Sequence, residues 1–156
     1  MKKLFSLIFV LIMVMGLVGC QDDMSSLSKF ESNDVDKIVV TLAMGNPEYG
    51  ADSKTITDSN EINEFIEVFN NGHLGGTISD DDIGVGGAST YSFYKDDEVI
   101  QTFSFNVNDT KIVWHDDKWR DVVYLENSLL PYDLYEQSTS EIVIVDVDGN
   151  EMERPE

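Results

Sequence analysis

Two pairs of adjacent aspartates, Asp96-Asp97 and Asp116-Asp117, constrain the fold more than any other feature of this chain. Each pair separates two β-rich runs: residues 90–95 (TYSFYK) and 98–107 (EVIQTFSFNV) around the first, 110–115 (TKIVWH) and 118–123 (KWRDVV) around the second. A two-residue link between runs rich in Val, Ile, Thr, Tyr and Phe predicts a tight hairpin. Asp is among the few residues that tolerate the left-handed backbone such turns use. Alternation then puts Val99, Gln101, Phe103, Phe105 and Val107 on one face, and a tight second turn sets Trp114 opposite Trp119.

One helix is legible, at residues 57–71. Asp58 caps its start and Glu61 is placed to reach back, a capping box. Ile62, Phe65, Ile66 and Phe69 recur at helical spacing and form one apolar stripe, with Glu61, Glu64 and Glu67 off it. Asn70-Asn71-Gly72 ends the helix. Residues 36–43 (DKIVVTLA) read as a first strand, 44–53 as turn chemistry and 141–148 (EIVIVDVD) as a last strand. Residues 72–89, with six glycines and Asp80-Asp81-Asp82, read as a long loop in which Ile78, Ile83 and Val85 form at most a short strand. A short second helix is expected at 121–130, with Asp121 as its cap and Pro131 as its end. The order predicts an α+β domain: an antiparallel hairpin meander of about five to six strands with one main amphipathic helix packed on one face.

The N-terminus carries different information. Met1-Lys2-Lys3 precedes a nearly unbroken apolar run from Leu4 to Met15, too short for the ~20 residues of a spanning helix. A basic start, a short apolar run and a small residue before a cleavage point describe a secretory signal peptide. Leu17-Val18-Gly19-Cys20 resembles the lipobox of bacterial lipoproteins. That resemblance implies that the Cys20 thiol receives a diacylglyceryl group and that cleavage leaves Cys20 as the first mature residue. With the Ile56-Thr57-Asp58 helix start, the Ile62/Ile66 stripe and the Tyr91-to-Phe105 hairpin, the chain resembles small uncharacterised surface lipoproteins of Gram-positive bacteria, a group that implies no catalytic residues. The expected organisation is a signal peptide at 1–19, a flexible tether at 20–33 whose Leu27 and Phe30 could dock on the domain without being required to, one α+β domain at 34–150 and a frayed tail at 151–156. The expected location is the extracytoplasmic face of the cell membrane.

Charge narrows the partners. The chain has 10 Lys and Arg against 30 Asp and Glu, a formal net charge of −20. Removing the leader takes away Lys2 and Lys3 and makes the excess larger. Nucleic acid is excluded as a partner, because phosphate contacts need Lys and Arg. A cationic peptide or protein fits the charge. So does a habitat of high salt or unusual pH, which would demand acidic exported proteins with no partner at all. The single cysteine leaves no disulfide framework, and as an anchor it is no nucleophile or metal ligand.

The chemistry-bearing candidates are few. His73 falls in the glycine-rich loop and His115 beside a turn next to Asp116; no nucleophile elbow, HExxH helix, P-loop or GxGxxG stands near either. Calcium candidates are Asp80, Asp81 and Asp82, and Asp146 with Asp148, though the Asp146-x-Asp148-Gly149-Asn150 spacing does not fit an EF-hand loop. Asn108-Asp109-Thr110 matches a glycosylation acceptor and reads better as a turn. Tyr124, Tyr132 and Tyr135, near Leu129-Leu130-Pro131, read as core packing, with an exposed contact patch as the alternative. The expectation is a monomeric, non-enzymatic binding or accessory domain without a cofactor. The alternatives are an immunity-type lipoprotein sequestering cationic antimicrobial peptides, and a small hydrolase or metal-dependent enzyme using His73 or His115.

Overall fold

Among the described residues ten strands and α-helices follow one another: β1 Lys37–Thr41, β2 Ala51–Ile56, α1 Ser59–Asn71, β3 His73–Thr77, β4 Ala88–Lys95, β5 Glu98–Asn106, β6 Asp109–His115, β7 Lys118–Val123, α2 Pro131–Gln137 and β8 Ile142–Val145. They come from a computed structural model that describes residues 25–42, 46–83, 87–106, 109–126 and 128–154. Cys20 and the leader lie outside the described residues, as do Val85, Val107 and Asn108. The strands form one antiparallel sheet in the order β3-β7-β6-β5-β4-β1-β2-β8.

The α+β class holds, and the sheet has eight strands rather than five or six. Two of the additional strands lie where turn and loop were expected. β2 (ADSKTI) has little intrinsic strand preference and gains its ladder from β1 on one side and β8 on the other. β3 (HLGGT) pairs with β7, and the Arg120 guanidinium donates from Nε and Nη2 to the Gly75 carbonyl at 3.1 and 2.8 Å. A Cβ at Gly75 would sit 3.0 Å from that of Asp121, so glycine lets the two strands approach. His73 is therefore a strand residue, not part of a loop.

Both hairpins form as expected. Asp96, Asp97, Asp116 and Asp117 all have positive φ, from 50° to 65°, which gives each turn the twist that matches its strands. Trp114 pairs with Trp119, ring centroids 5.3 Å apart and edge to face. The expected face of β5 breaks at its start. A bulge pairs Gln101 with Phe93 but Val99 with Tyr94, so Ile100 is an inserted residue and Val99 turns out to solvent.

α1 starts where its cap places it: the Asp58 carboxylate accepts from the amides of Asn60 and Glu61. Ile62, Phe65, Ile66 and Phe69 are buried. Phe69 sits at the centre of an aromatic cluster, 4.8–5.8 Å from the rings of Tyr91, Phe93, Phe103 and Phe105 on β4 and β5. Glu61 does not close a capping box. Its carboxylate turns to the exit of α2 and accepts from Ser138 Oγ, Thr139 N and Thr139 Oγ1 at 2.6–3.1 Å.

The second helix is displaced from its expected position. Residues 121–123 continue β7, because Val122 is needed against Leu74, and Pro131 begins α2 instead of ending a helix. Proline suits the first helical position, where its missing N–H costs nothing, and the Leu130 amide is taken by the Asp133 carboxylate at 2.8 Å.

Both expected ends of the domain move. From Ser25 onward the supposed tether is packed. Ser26 bridges His73, Leu27 is buried, and Phe30 stacks 4.7 Å from Phe93. Asn70 secures this segment, accepting from Ser28 Oγ and Phe30 N and donating to the Phe30 carbonyl. Leu27 buried in the core and Phe30 against the rings of Phe93 and Phe103 outweigh the polar composition around them. At the other end Glu151 bridges Val145, Met152 N donates to the Ile144 carbonyl, and Arg154 pairs with Asp52. The outer edge of β3 is thus bridged at His73 and that of β8 at Val145 by segments of the chain itself.

Candidate docking groove

The sheet presents two unlike faces. One is roofed by α1, α2 and the segment from Ser25. The other carries Thr41, Ser53, Ser92, Thr102 and Trp114, with the Thr41–Ser53 and Ser92–Thr102 hydroxyls 3.1 Å apart. On the roofed side α2 is held by a buried cation. The Lys54 ammonium donates to the carbonyls of Tyr135 and Ser138, each at 2.8 Å, and lies 4.7 Å above the centre of the Tyr135 ring. A lysine among the last carbonyls of a helix satisfies acceptors that have no partner in the helix itself.

Between α1 and the connection into α2 lies a groove of about 260 Å³. Val68 and Leu134 form its apolar floor, Leu129 and Ser128 one wall, and Glu64, Glu67 and Asn71 the other. Leu129 and, next along the connection, Leu125 and Tyr132 are exposed. The Tyr132 hydroxyl is tied to Glu136, and that hydrogen bond raises its pKa above the ordinary phenol range. One turn before Glu64 on the same flank of α1, burial opposes ionisation of Glu61, but the hydrogen bonds from Ser138 and Thr139 prevail and hold its carboxyl below the usual range. That ionised group locks α1 to the end of α2 and fixes one end of the groove's frame.

Three tyrosines divide between the two readings made of them. Tyr135 is buried and Tyr124 packs against the core, whereas Tyr132 faces solvent beside the groove. The hydroxyls of Tyr91, Tyr124 and Tyr135 are buried without a hydrogen-bond partner among the described residues, and burial pushes all three phenols up, Tyr135 to about 12. They are neutral over any ordinary pH and contribute shape and polarity rather than charge.

The other candidates are not brought together. His73 pairs with Val123 at one end of β7 and His115 with Lys118 at the other, roughly 17 Å apart along the strand. His115 Nε2 lies 3.6 Å from Asp116. Asp80, Asp81 and Asp82 form one exposed 3-10 turn capped by Ser79. Asp146 closes a turn on itself: its carboxylate accepts from the amides of Asp148 and Asn150 and from the Asn150 side chain. The hydrogen bonds from Asn150, backbone then side chain, keep its pKa below the usual carboxylate range. Among the described residues, no group of three or more His, Cys, Asp or Glu side chains is arranged to hold a metal ion.

Among the described residues no helix is long and apolar enough to cross a membrane. Compared with known proteins, the chain matches no family model, no curated protein and no solved structure.

Proposed function

We propose that this chain is an exported lipoprotein, anchored through a lipid on Cys20 to the extracytoplasmic face of the cell membrane. Its acidic α+β domain acts as a binding or accessory module rather than as an enzyme. The observation that carries the anchoring is the order of the first twenty residues: cationic start, short apolar run, then Leu17-Val18-Gly19-Cys20. Two acyl chains give stable attachment where one is marginal. The binding role is supported by the groove between α1 and α2 and by the separation of the two histidines along β7.

The test is fractionation. Wild-type protein is expected with the membranes, at a mass that begins at Cys20 and includes acyl chains. Cys20→Ala is expected to leave the membrane fraction or to accumulate unprocessed. A Cys20→Ala protein that stays with the membranes at wild-type mass would remove the anchoring reading.

A further inference from the structure

We infer that the groove between α1 and the 128–134 segment is a docking site for a cationic amphipathic peptide segment, which lays an apolar side chain against Val68, Leu129 and Leu134 and its cations against Glu64 and Glu67. This deepens the proposed function and rests on its anchoring.

Two features select that occupant. The first is charge complementarity. The groove is apolar at its floor and carboxylate-lined along α1, on a chain whose acidic residues outnumber its basic ones threefold. A purely apolar partner would strip water from Glu64 and Glu67 without compensation, and a purely hydrophilic cation would leave Leu129 wet. A segment with both characters satisfies both walls. The second feature is position. The Ser25 carbonyl is fixed to the Leu74 amide at 2.9 Å, and five residues from Cys20 reach at most roughly 18 Å. Asn71, at the end of the groove, is three residues from Leu74 and so within ~11 Å of it along the chain. On the proposed anchoring, the Asn71 end of the groove lies no more than roughly 32 Å from the lipidated Cys20, within reach of the headgroup layer where cationic amphipathic segments collect.

The test uses the full chain in a non-ionic detergent and a labelled synthetic peptide with leucine and lysine at helical spacing, read by fluorescence anisotropy. Wild type is expected to bind this peptide about tenfold tighter than polylysine of equal charge. Leu129→Ser is expected to lose about tenfold in affinity without lowering the melting temperature, because Leu129 is exposed. The pair Glu64→Gln and Glu67→Gln should weaken binding and flatten its salt dependence. The control pair Asp80→Asn and Asp81→Asn removes the same charge elsewhere and should do neither.

Equal loss in the control pair, equal binding of polylysine, or wild-type affinity in Leu129→Ser would each overturn the inference. So would sedimentation showing a dimer that Leu129→Ser dissolves, since the groove would then be covered by a second copy. Failure here leaves the Cys20 fractionation result standing, and failure of anchoring is read from fractionation alone.

Discussion

The β4–β5 and β6–β7 hairpins turn on the same two residues in the same left-handed conformation, yet they are different objects. The first lies in the middle of the sheet and places Tyr91, Phe93, Phe103 and Phe105 beneath α1. Its turn is also clamped from β1: the Asp36 carboxylate accepts from the Asp96 amide at 2.8 Å, and the Lys37 ammonium meets Asp97 at 2.6 Å. The second hairpin contributes Val113 and Val122 to the core and leaves Trp114 43% exposed. Around its turn, among the described residues, stands only the His115–Asp116 approach at 3.6 Å. Turn chemistry decides that a hairpin forms; what its strands cover decides how much the fold depends on it.

The largest expected contrast follows from burial. Phe103→Ala should cost about 3–5 kcal/mol of stability, as a cavity under α1. Trp114→Ala should cost only about 1–2 kcal/mol, the loss of an edge-to-face partner and of partial burial. Urea denaturation of the two variants measures both, and equal losses would erase the distinction between the hairpins.

A smaller contrast concerns the turns themselves. Asp117→Gly relieves a left-handed aspartate and should add about 0.5–1 kcal/mol. Asp97→Gly relieves the same strain but removes the partner of Lys37, so its gain should be smaller. If Asp97→Gly stabilises as much as Asp117→Gly, the Lys37–Asp97 half of the clamp contributes nothing.

The smallest effect is a titration. The hydrogen bond from Lys37, with its charge, holds the Asp97 carboxyl below the usual carboxylate range. A depressed folded-state pKa stabilises above the unfolded pKa, and that contribution fades as pH falls through the folded one. Carbon-detected NMR should therefore find Asp97 titrating low, and Lys37→Ala should move its midpoint upward. An Asp97 midpoint unchanged in Lys37→Ala would show that the contact does not persist in solution.

What was legible in the sequence is what local chemistry determines. Asp58, the Ile62-Phe65-Ile66-Phe69 stripe and the two Asp-Asp turns each act within a few residues of themselves, and each appears where expected. What was not legible depends on distant partners. β2 and β3 are strands because β8 and β7 supply their ladders, and Leu27 and Phe30 are docked because Asn70 and Phe93 await them. Pro131 was read as a stop although the residue serves equally as a start; only the pairing of Val122 with Leu74 decides between them. The groove was half visible. Tyr132 and Leu129 belong to the contact patch considered for that region, but Glu64 and Glu67 face them only because α1 and α2 pack side by side.

The partly covered margins of the sheet would matter to a protein anchored as proposed. An anchored protein is confined to two dimensions, where neighbours collide in a few recurring orientations and local density far exceeds that in solution. A bare strand margin there would be a template on which one molecule could extend the sheet of the next. Here Ser26 takes the rim of β3 at His73 and Glu151 that of β8 at Val145, so part of each outer row is already paired within the chain. On the proposed anchoring, these two segments would keep part of each margin from pairing with a neighbouring copy.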